Sequence, residues 1–543
     1  MRSRPGGPTG FSFAPPHVQA HPPHRPRPHC RRSTIGSLPA SEFGKRPGGP
    51  SGAQAERRQA SGASEEPGEV RIFGWRSSGE GRPVNRGRLQ DGSLKIAEAV
   101  EKAVEQHGFG DTLDEARRWR RPQGTIEEEM KSFFVQSAKS EQVRRWYVEP
   151  NARELRTVLH VAEKAYDVTR WEIPDDFGTY DHFLRSLASL KGTSSPGLPY
   201  AYSYPTIADY FGSHDPALWS EDKKKQLWAF VQMALRQETE VLFSVFVKDE
   251  MHKPQKAESG RWRLIFAAPL HHQVIGHMLF DDAHQREKET TFQHPSAHNM
   301  TITKGGWKEF KRVQQSLQLS ESYDRKAWDF QAPAWVFRAI LELRKRLCLN
   351  LSEEWTRWAE WYYDTAYFSS EIMFSDGSKF KQEVDGMMKS GLVTTISDNS
   401  KAQFLEHVLA SYRMAVDTGK ALRINPIFAV GDDTLQQPEC PQYLRYLQEA
   451  GCQIKQGHSS YDEPEFVGFF FPATGPKPAY FVKHLANILH QRDAFLEETL
   501  NMYLVVYSKT ELFGFWKLVC KYLGFSVRSP QYYQGLMDLP DAY

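Results

Sequence analysis

The chain has 543 residues, 40% of them hydrophobic and 13% aromatic, which supplies a large core and points to several domains or one multi-part fold. Its formal net charge of +2 does not by itself announce a nucleic-acid partner, so that argument has to rest on local clusters. Cys30, Cys348, Cys440, Cys452 and Cys520 are scattered without a CxxC pair, which argues against a disulfide framework or a zinc site, and no apolar run approaches the roughly 20 residues of a membrane span or forms the core of a secretory signal.

Residues 1–70 hold 12 of the 33 prolines and 10 glycines, with ten Lys/Arg against five Glu, so they cannot bury enough apolar surface to offset ordering entropy. We read 1–90 as a disordered basic Pro/Gly-rich region, either a weak binder of RNA phosphates or a linker without a role of its own. Regular structure is expected from about residue 93. Ser93 can cap a helix in which Ile96, Val100 and Val104 recur at helical spacing, ending before Gly108. From there the chain shows no repeat and no low-complexity linker, as one continuous folded unit would.

Residues 246–266 gather Lys248, Lys253, Lys256, Arg261 and Arg263, the two arginines flanking Trp262. A strand there would point both arginines the same way, suiting them to a bidentate grip on phosphate as one wall of a nucleotide channel. Ser322-Tyr-Asp-Arg-Lys-Ala-Trp-Asp-Phe330 places Asp324 and Asp329 five apart, able to face one cleft if Asp324 ends a strand and the chain then turns. In Gly386–Ser400, Gly391, Thr395 and Asn399 recur every four residues, which puts Thr395 and Asn399 on one helical face past a Ser390-Gly391 loop, where a hydroxyl and an amide can meet a ribose. Pro426-Ile-Phe-Ala-Val-Gly-Asp-Asp-Thr-Leu-Gln436 reads as a β-hairpin whose tight turn presents Asp432 and Asp433 solvated and ionised, as ligands suited to Mg²⁺. Segments 495–507 and 512–522 are apolar-periodic and predicted helical.

In that order and spacing, KDE…K…RWRLI, DxxxxD, SGxxxTxxxN and GDD together resemble the fingers and palm motifs of positive-strand RNA virus RNA-dependent RNA polymerases. The sobemovirus and polerovirus group is nearest in detail: GRWRLI, and Asp376-Gly377 ahead of KSG…T…NS. The resemblance covers about residues 190–475. It implies an α/β (α+β) right-hand fold: an N-terminal extension and fingers over 91–320, a palm with an inserted fingers segment over 321–475 carrying an antiparallel sheet, and a helical thumb over 476–543. It implies RNA-directed RNA synthesis with two Mg²⁺ (or Mn²⁺) ions on Asp324, Asp432 and Asp433, and with Lys455 as general acid toward pyrophosphate. Asp329 would sense the ribose with Thr395 and Asn399. Ser390 and Gly391 would form a flexible loop, and Lys248, Lys256, Arg261 and Arg263 would grip the triphosphate.

The Thr193–Pro199 segment is similar to the template-entrance loop, and Phe466–Phe470 to the primer-grip hairpin. His252 departs from the picornavirus-like pattern, which places an arginine there, so Lys253 is expected to substitute. Implied partners are RNA template and product, NTPs and viral or host replication factors; the implied place is the host cytoplasm, at replication complexes. Two rivals stand beside this reading. A reverse transcriptase shares the palm but usually carries an aromatic residue where Val430-Gly431 precedes the Asp pair. A non-catalytic RNA-binding protein would leave the acidic pairs unexplained, because carboxylates repel RNA unless metals intervene.

Overall fold

The structure, a computed structural model, describes residues 71–86 and 93–540 except 145, 452 and 456. Three sheets and a set of mostly buried helices build it. The largest sheet has six strands in the order Arg71–Ile72, Trp75–Glu80, Ser378–Gln382, Glu371–Met373, Leu242–Val247 and Leu264–Ala267. Leu242–Val247 is apolar at nearly every position because both faces are covered, with helix Ile126–Arg144 packed against it.

This sheet corrects the reading of 1–90 as one disordered region. Residues 71–80 form strands, and Trp75 is buried against Phe133, their rings 5.1 Å apart. The expectation for 1–70 and 87–90 lies outside the described residues. In the 246–266 stretch the arginines precede the strand Leu264–Ala267 rather than lying in it. A short helix, Pro254–Glu258, fills the loop after the strand Leu242–Val247.

The second sheet is small and antiparallel, in the order His458–Ser459, Glu321–Tyr323, Asp433–Gln436, Ile427–Val430. Beneath it runs the helix Thr395–Thr418, buried on nearly all sides between Ala152–Ala165, Ala334–Leu347 and Pro441–Ala450. A helix this enclosed has to match its own charges: Arg413 pairs with Glu154 at 3.0 Å, and Asp398 accepts from Arg344 at 2.8 Å. The third sheet, Glu465–Phe466, Phe469–Phe470 and Lys477–Pro478, begins with a hairpin turning at Val467-Gly468, both at positive φ (46° and 79°) as a type I′ turn requires.

Four C-terminal helices, Phe481–Leu489, Asp493–Val506, Phe513–Leu523 and Pro530–Asp538, cover the predicted helical segments. They share a core with Leu94–His107 and Gly110–Arg118, so these two N-terminal helices sit with the C-terminal helices rather than with the fingers. Ile96, Val100 and Val104 are buried there, and Gly108 ends the first helix at φ 74°. Ser93 occupies the N-cap position, but its hydroxyl bonds Asp493 at 3.0 Å instead of capping. Among the described cysteines, Cys348, Cys440 and Cys520 are free.

Candidate active site

The small antiparallel sheet brings the acidic residues together. Tyr323 pairs with Thr434, so the next residue at each strand end, Asp324 and Asp433, emerges at the same edge. Val430 pairs with Asp433, leaving a two-residue turn of Gly431 (φ 64°) and Asp432; a glycine at the first loop position meets the demand for positive φ. The Gly431 N–H donates to the Ser400 hydroxyl at 2.9 Å, which ties the turn to the central helix. Arg325, next to Asp324, is buried and donates to Gln403 of the same helix.

The turn carboxylates are not freely solvated, contrary to the expectation from an isolated hairpin tip. Burial pushes Asp432 up, with Asp324 adding to the shift; Asp433 rises to about 7 through burial and then the charges of Asp432, Asp324 and Glu465. Such mutually repelling carboxylates fit divalent cations, which would relieve the repulsion. Among the described residues no three metal-binding side chains close around one point. Water and substrate oxygens would therefore complete the shell, as Mg²⁺ prefers. At Asp324 the Lys455 ammonium contacts the carboxylate, and the Lys455 N–H donates to the Asp324 carbonyl at 2.9 Å.

The predicted cations stand around these acids. Lys256 is lowered by desolvation and by Lys455, Arg263 and Arg261. Lys248 and Arg263 reach Glu250 at 3.3 and 3.4 Å; against the upward push of burial, Arg263 and Lys248 hold that carboxyl below its usual range. Arg261 is turned locally onto Ser259 at 2.7 Å. His252 is buried and accepts from the Arg263 N–H at 3.2 Å through Nε2, so Nδ1 carries the proton donated to the Glu250 carbonyl at 2.9 Å. It pins the basic loop and offers no phosphate contact, which explains the departure at this position.

The ribose-sensing set is divided. Asp329, raised to about 6 by burial, accepts from the Ser390 hydroxyl at 2.6 Å. Gly391 sits at φ 127°, where a Cβ would stand 2.8 Å from the Phe266 carbonyl, so only glycine suits the loop. Thr395 spends its hydroxyl on the Leu392 carbonyl at 2.8 Å, and the buried Asn399 accepts from the Trp328 indole at 2.7 Å. Thr395 and Asn399 thus lie one turn apart, but neither bonds Asp329.

Three neighbours escaped the sequence reading. Ser400 stands inside the quoted Asn399-Ser400 pair. Glu465 lies within electrostatic reach of Asp433, and the half-exposed Tyr480 donates to Glu465 at 3.0 Å. A Ser one step past Asn399 was a usable signal. Nothing local in the sequence ties Glu465 or Tyr480 to the site, because the third sheet brings them there.

Residues 154–436 match the family model of viral RNA-dependent RNA polymerase. The chain is 26% identical over 378 residues to protein P2-P3 of Poinsettia latent virus, covering 63% of this chain and 33% of that protein. It is 25% identical over 444 residues to protein P1-P2 of Potato leafroll virus, covering 75% and 39%. To the RNA-directed RNA polymerase of Mushroom bacilliform virus it is 27% identical over 234 residues, covering 42% and 53%. The chain therefore spans well under half of the first two relatives. Among solved structures, a Sicinivirus 3Dpol RNA dependent RNA polymerase matches with a TM-score of 0.58 at 15% identity, covering 72% of this chain and 86% of that one, a likeness of fold.

Proposed function

The chain belongs to the viral RNA-dependent RNA polymerase family, with curated relatives among poleroviruses and sobemoviruses, and we propose that it extends an RNA 3′ end on an RNA template with NTPs. The observation carrying this is the joint emergence of Asp324, Asp432 and Asp433 at one sheet edge, with Lys256, Lys455 and Arg263 within electrostatic reach of them and Lys248 within reach of the neighbouring Asp329. The 3′-hydroxyl gives up its proton to water as its oxygen attacks the α-phosphorus of the NTP; the new O–P bond forms as the bond to pyrophosphate breaks, and pyrophosphate leaves. Two Mg²⁺ or Mn²⁺ ions held by Asp324 and Asp432, with Asp433 beside them, would supply activation of the hydroxyl and neutralisation of the triphosphate.

The chain's own groups do the rest. Arg263, Lys248 and Lys256 orient the triphosphate and offset its charge. Lys455, whose ammonium contacts the Asp324 carboxylate, gives the departing pyrophosphate its proton. Ser390 holds Asp329 toward the ribose.

The test is NTP incorporation by purified protein on a short RNA template with Mg²⁺. Wild type is expected to yield template-dependent product. Asp432→Ala should lose it while keeping RNA binding, and loss of RNA binding in that variant would remove the purely catalytic role assigned to Asp432. Absence of product from wild type, with and without primer and with Mn²⁺ as well, would overturn the reading for this chain on its own.

A further inference from the structure

Lys389, immediately before the Ser390-Gly391 loop, is fully buried, and the carboxylate that acts on it, Asp385, does so without a hydrogen bond. Its amine donates to the Gln382 side-chain carbonyl and, at 3.5 Å, to the Met387 carbonyl, and lies 6.0 Å from the Trp75 ring centroid. Burial, and then the Arg144 charge, hold that amine well below its ordinary range. Even uncharged, a buried polar nitrogen is costly, and an apolar side chain of the same length would fill the space without that cost. Core filling therefore does not explain the amine.

Gln382 is itself fixed. Its amide nitrogen donates to the Val384 and Gly386 carbonyls, both at 2.7 Å, and its backbone pairs with Trp75 of the N-terminal strand. The N-terminal segment is anchored further along: Gly81 N–H to the Gly377 carbonyl at 2.7 Å, Val84 N–H to the Ser375 carbonyl at 2.9 Å, and Glu383 N–H to the Gly74 carbonyl at 2.9 Å. One step past Lys389, the Ser390 carbonyl accepts from the Phe266 N–H at 3.0 Å while its hydroxyl holds Asp329. A continuous line of contacts thus runs from Trp75 through Gln382 and Lys389 to Ser390 and Asp329.

We infer that Lys389 is a positioning residue: its side-chain nitrogen, held by Gln382, sets the Ser390–Asp329 hydrogen bond and with it the preference for ribonucleotides, and the N-terminal strand acts on the site through Gln382. The inference rests on the polymerase reading above. The experiment measures kcat and KM for NTP and for 2′-dNTP on the full chain, for wild type, Lys389→Met and Gln382→Met, with thermal denaturation of each. Lys389→Met is expected to melt at or above the wild-type temperature. Its NTP-over-dNTP ratio of kcat/KM should fall about tenfold, the size of one misplaced polar contact. Gln382→Met, which removes the acceptor from the other side, should lower the ratio in the same direction and carries the test if Lys389→Met does not fold. A purely structural lysine would lower the melting temperature and slow both nucleotides alike; an unchanged ratio in the folded variants overturns the inference and leaves the polymerase reading intact. No incorporation by wild type overturns both.

Discussion

Gly431 has an N–H to satisfy at a two-residue turn, and its acceptor is the Ser400 hydroxyl, which in turn donates to the Ile396 carbonyl at 2.7 Å. Ser400→Ala leaves that half-buried N–H unpaired beside Asp432, a loss of about 1 kcal/mol or more. We expect the NTP incorporation rate to fall about tenfold or more while RNA affinity in a filter-binding assay stays near wild type. A matching loss of RNA affinity would mean that Ser400 supports the wider fold and not the turn. Asn399, the residue before Ser400, acts through the Trp328 indole, which adjoins Asp329. Asn399→Ala should therefore weaken selection of NTP over dNTP by freeing Trp328, and unchanged discrimination in a competition assay would remove Asn399 from the ribose-sensing set.

The helix Thr395–Thr418 shows why element-level sequence patterns reached only part of the site. The spacing of Thr395 and Asn399 identified a shared helical side, yet a helix enclosed on nearly every face has no single functional stripe, and spacing cannot tell an open polar side from one covered by Trp328. The Gly431 hairpin was legible because its signal is local, two apolar runs around a glycine turn. The strand Trp75–Glu80 was not, because what makes it a strand is Ser378–Gln382, some three hundred positions away, and its own residues are polar and Gly-containing. Asp398, also unread in the sequence, accepts from Arg344 at 2.8 Å, from Tyr363 at 3.0 Å and from Tyr367 at 2.9 Å, all buried. Removing it leaves the buried Arg344 guanidinium the Glu287 carboxylate at 3.8 Å and the Ser397 hydroxyl at 3.0 Å, and takes the acceptor from two buried tyrosines, so Asp398→Ala should cost ~3–5 kcal/mol in a denaturant melt, the range for one partner lost from a buried ion pair. A cost under about 1 kcal/mol, the surface-pair range, would show that the network is not what holds this helix.

At the scale of the molecule, the N-terminal arm joins parts that sequence order keeps apart. Arg120 and His252 exchange backbone hydrogen bonds at 3.0 and 2.9 Å, and Arg121 grips Asp249 through two contacts of 2.6 Å, so the segment leading from the helices beside the C-terminal core clasps the basic loop. Motif order made the palm legible; it held no information on this closure, which depends on tertiary contact alone. The enclosed interior also holds many uncharged histidines. Burial lowers His271, His298, His407 and His484 to about 4 and His272 to about 3. Their unfolded values lie near ~6.5, so below that pH the unfolded chain binds protons the folded chain refuses, and stability falls with acidification toward 4. Three acids work the other way, since burial raises Glu406 to about 8, Asp433 to about 7 and Asp329 to about 6; each favours the folded state below its raised value and loses that contribution as pH rises through it. The lowered histidines, nine with His182, His252, His284 and His294, outnumber the raised acids, seven with Glu129, Asp282, Asp432 and Glu439, so the metal-free protein should lose stability as pH falls from ~6.5 to ~4.5. Urea midpoints in EDTA across that range measure this. His272→Phe, which keeps a ring against Tyr362 (4.2 Å in the wild type), should flatten the fall. A midpoint that does not fall on acidification, or a fall equally steep in His272→Phe, would show that these buried groups do not set the acid side of the stability profile.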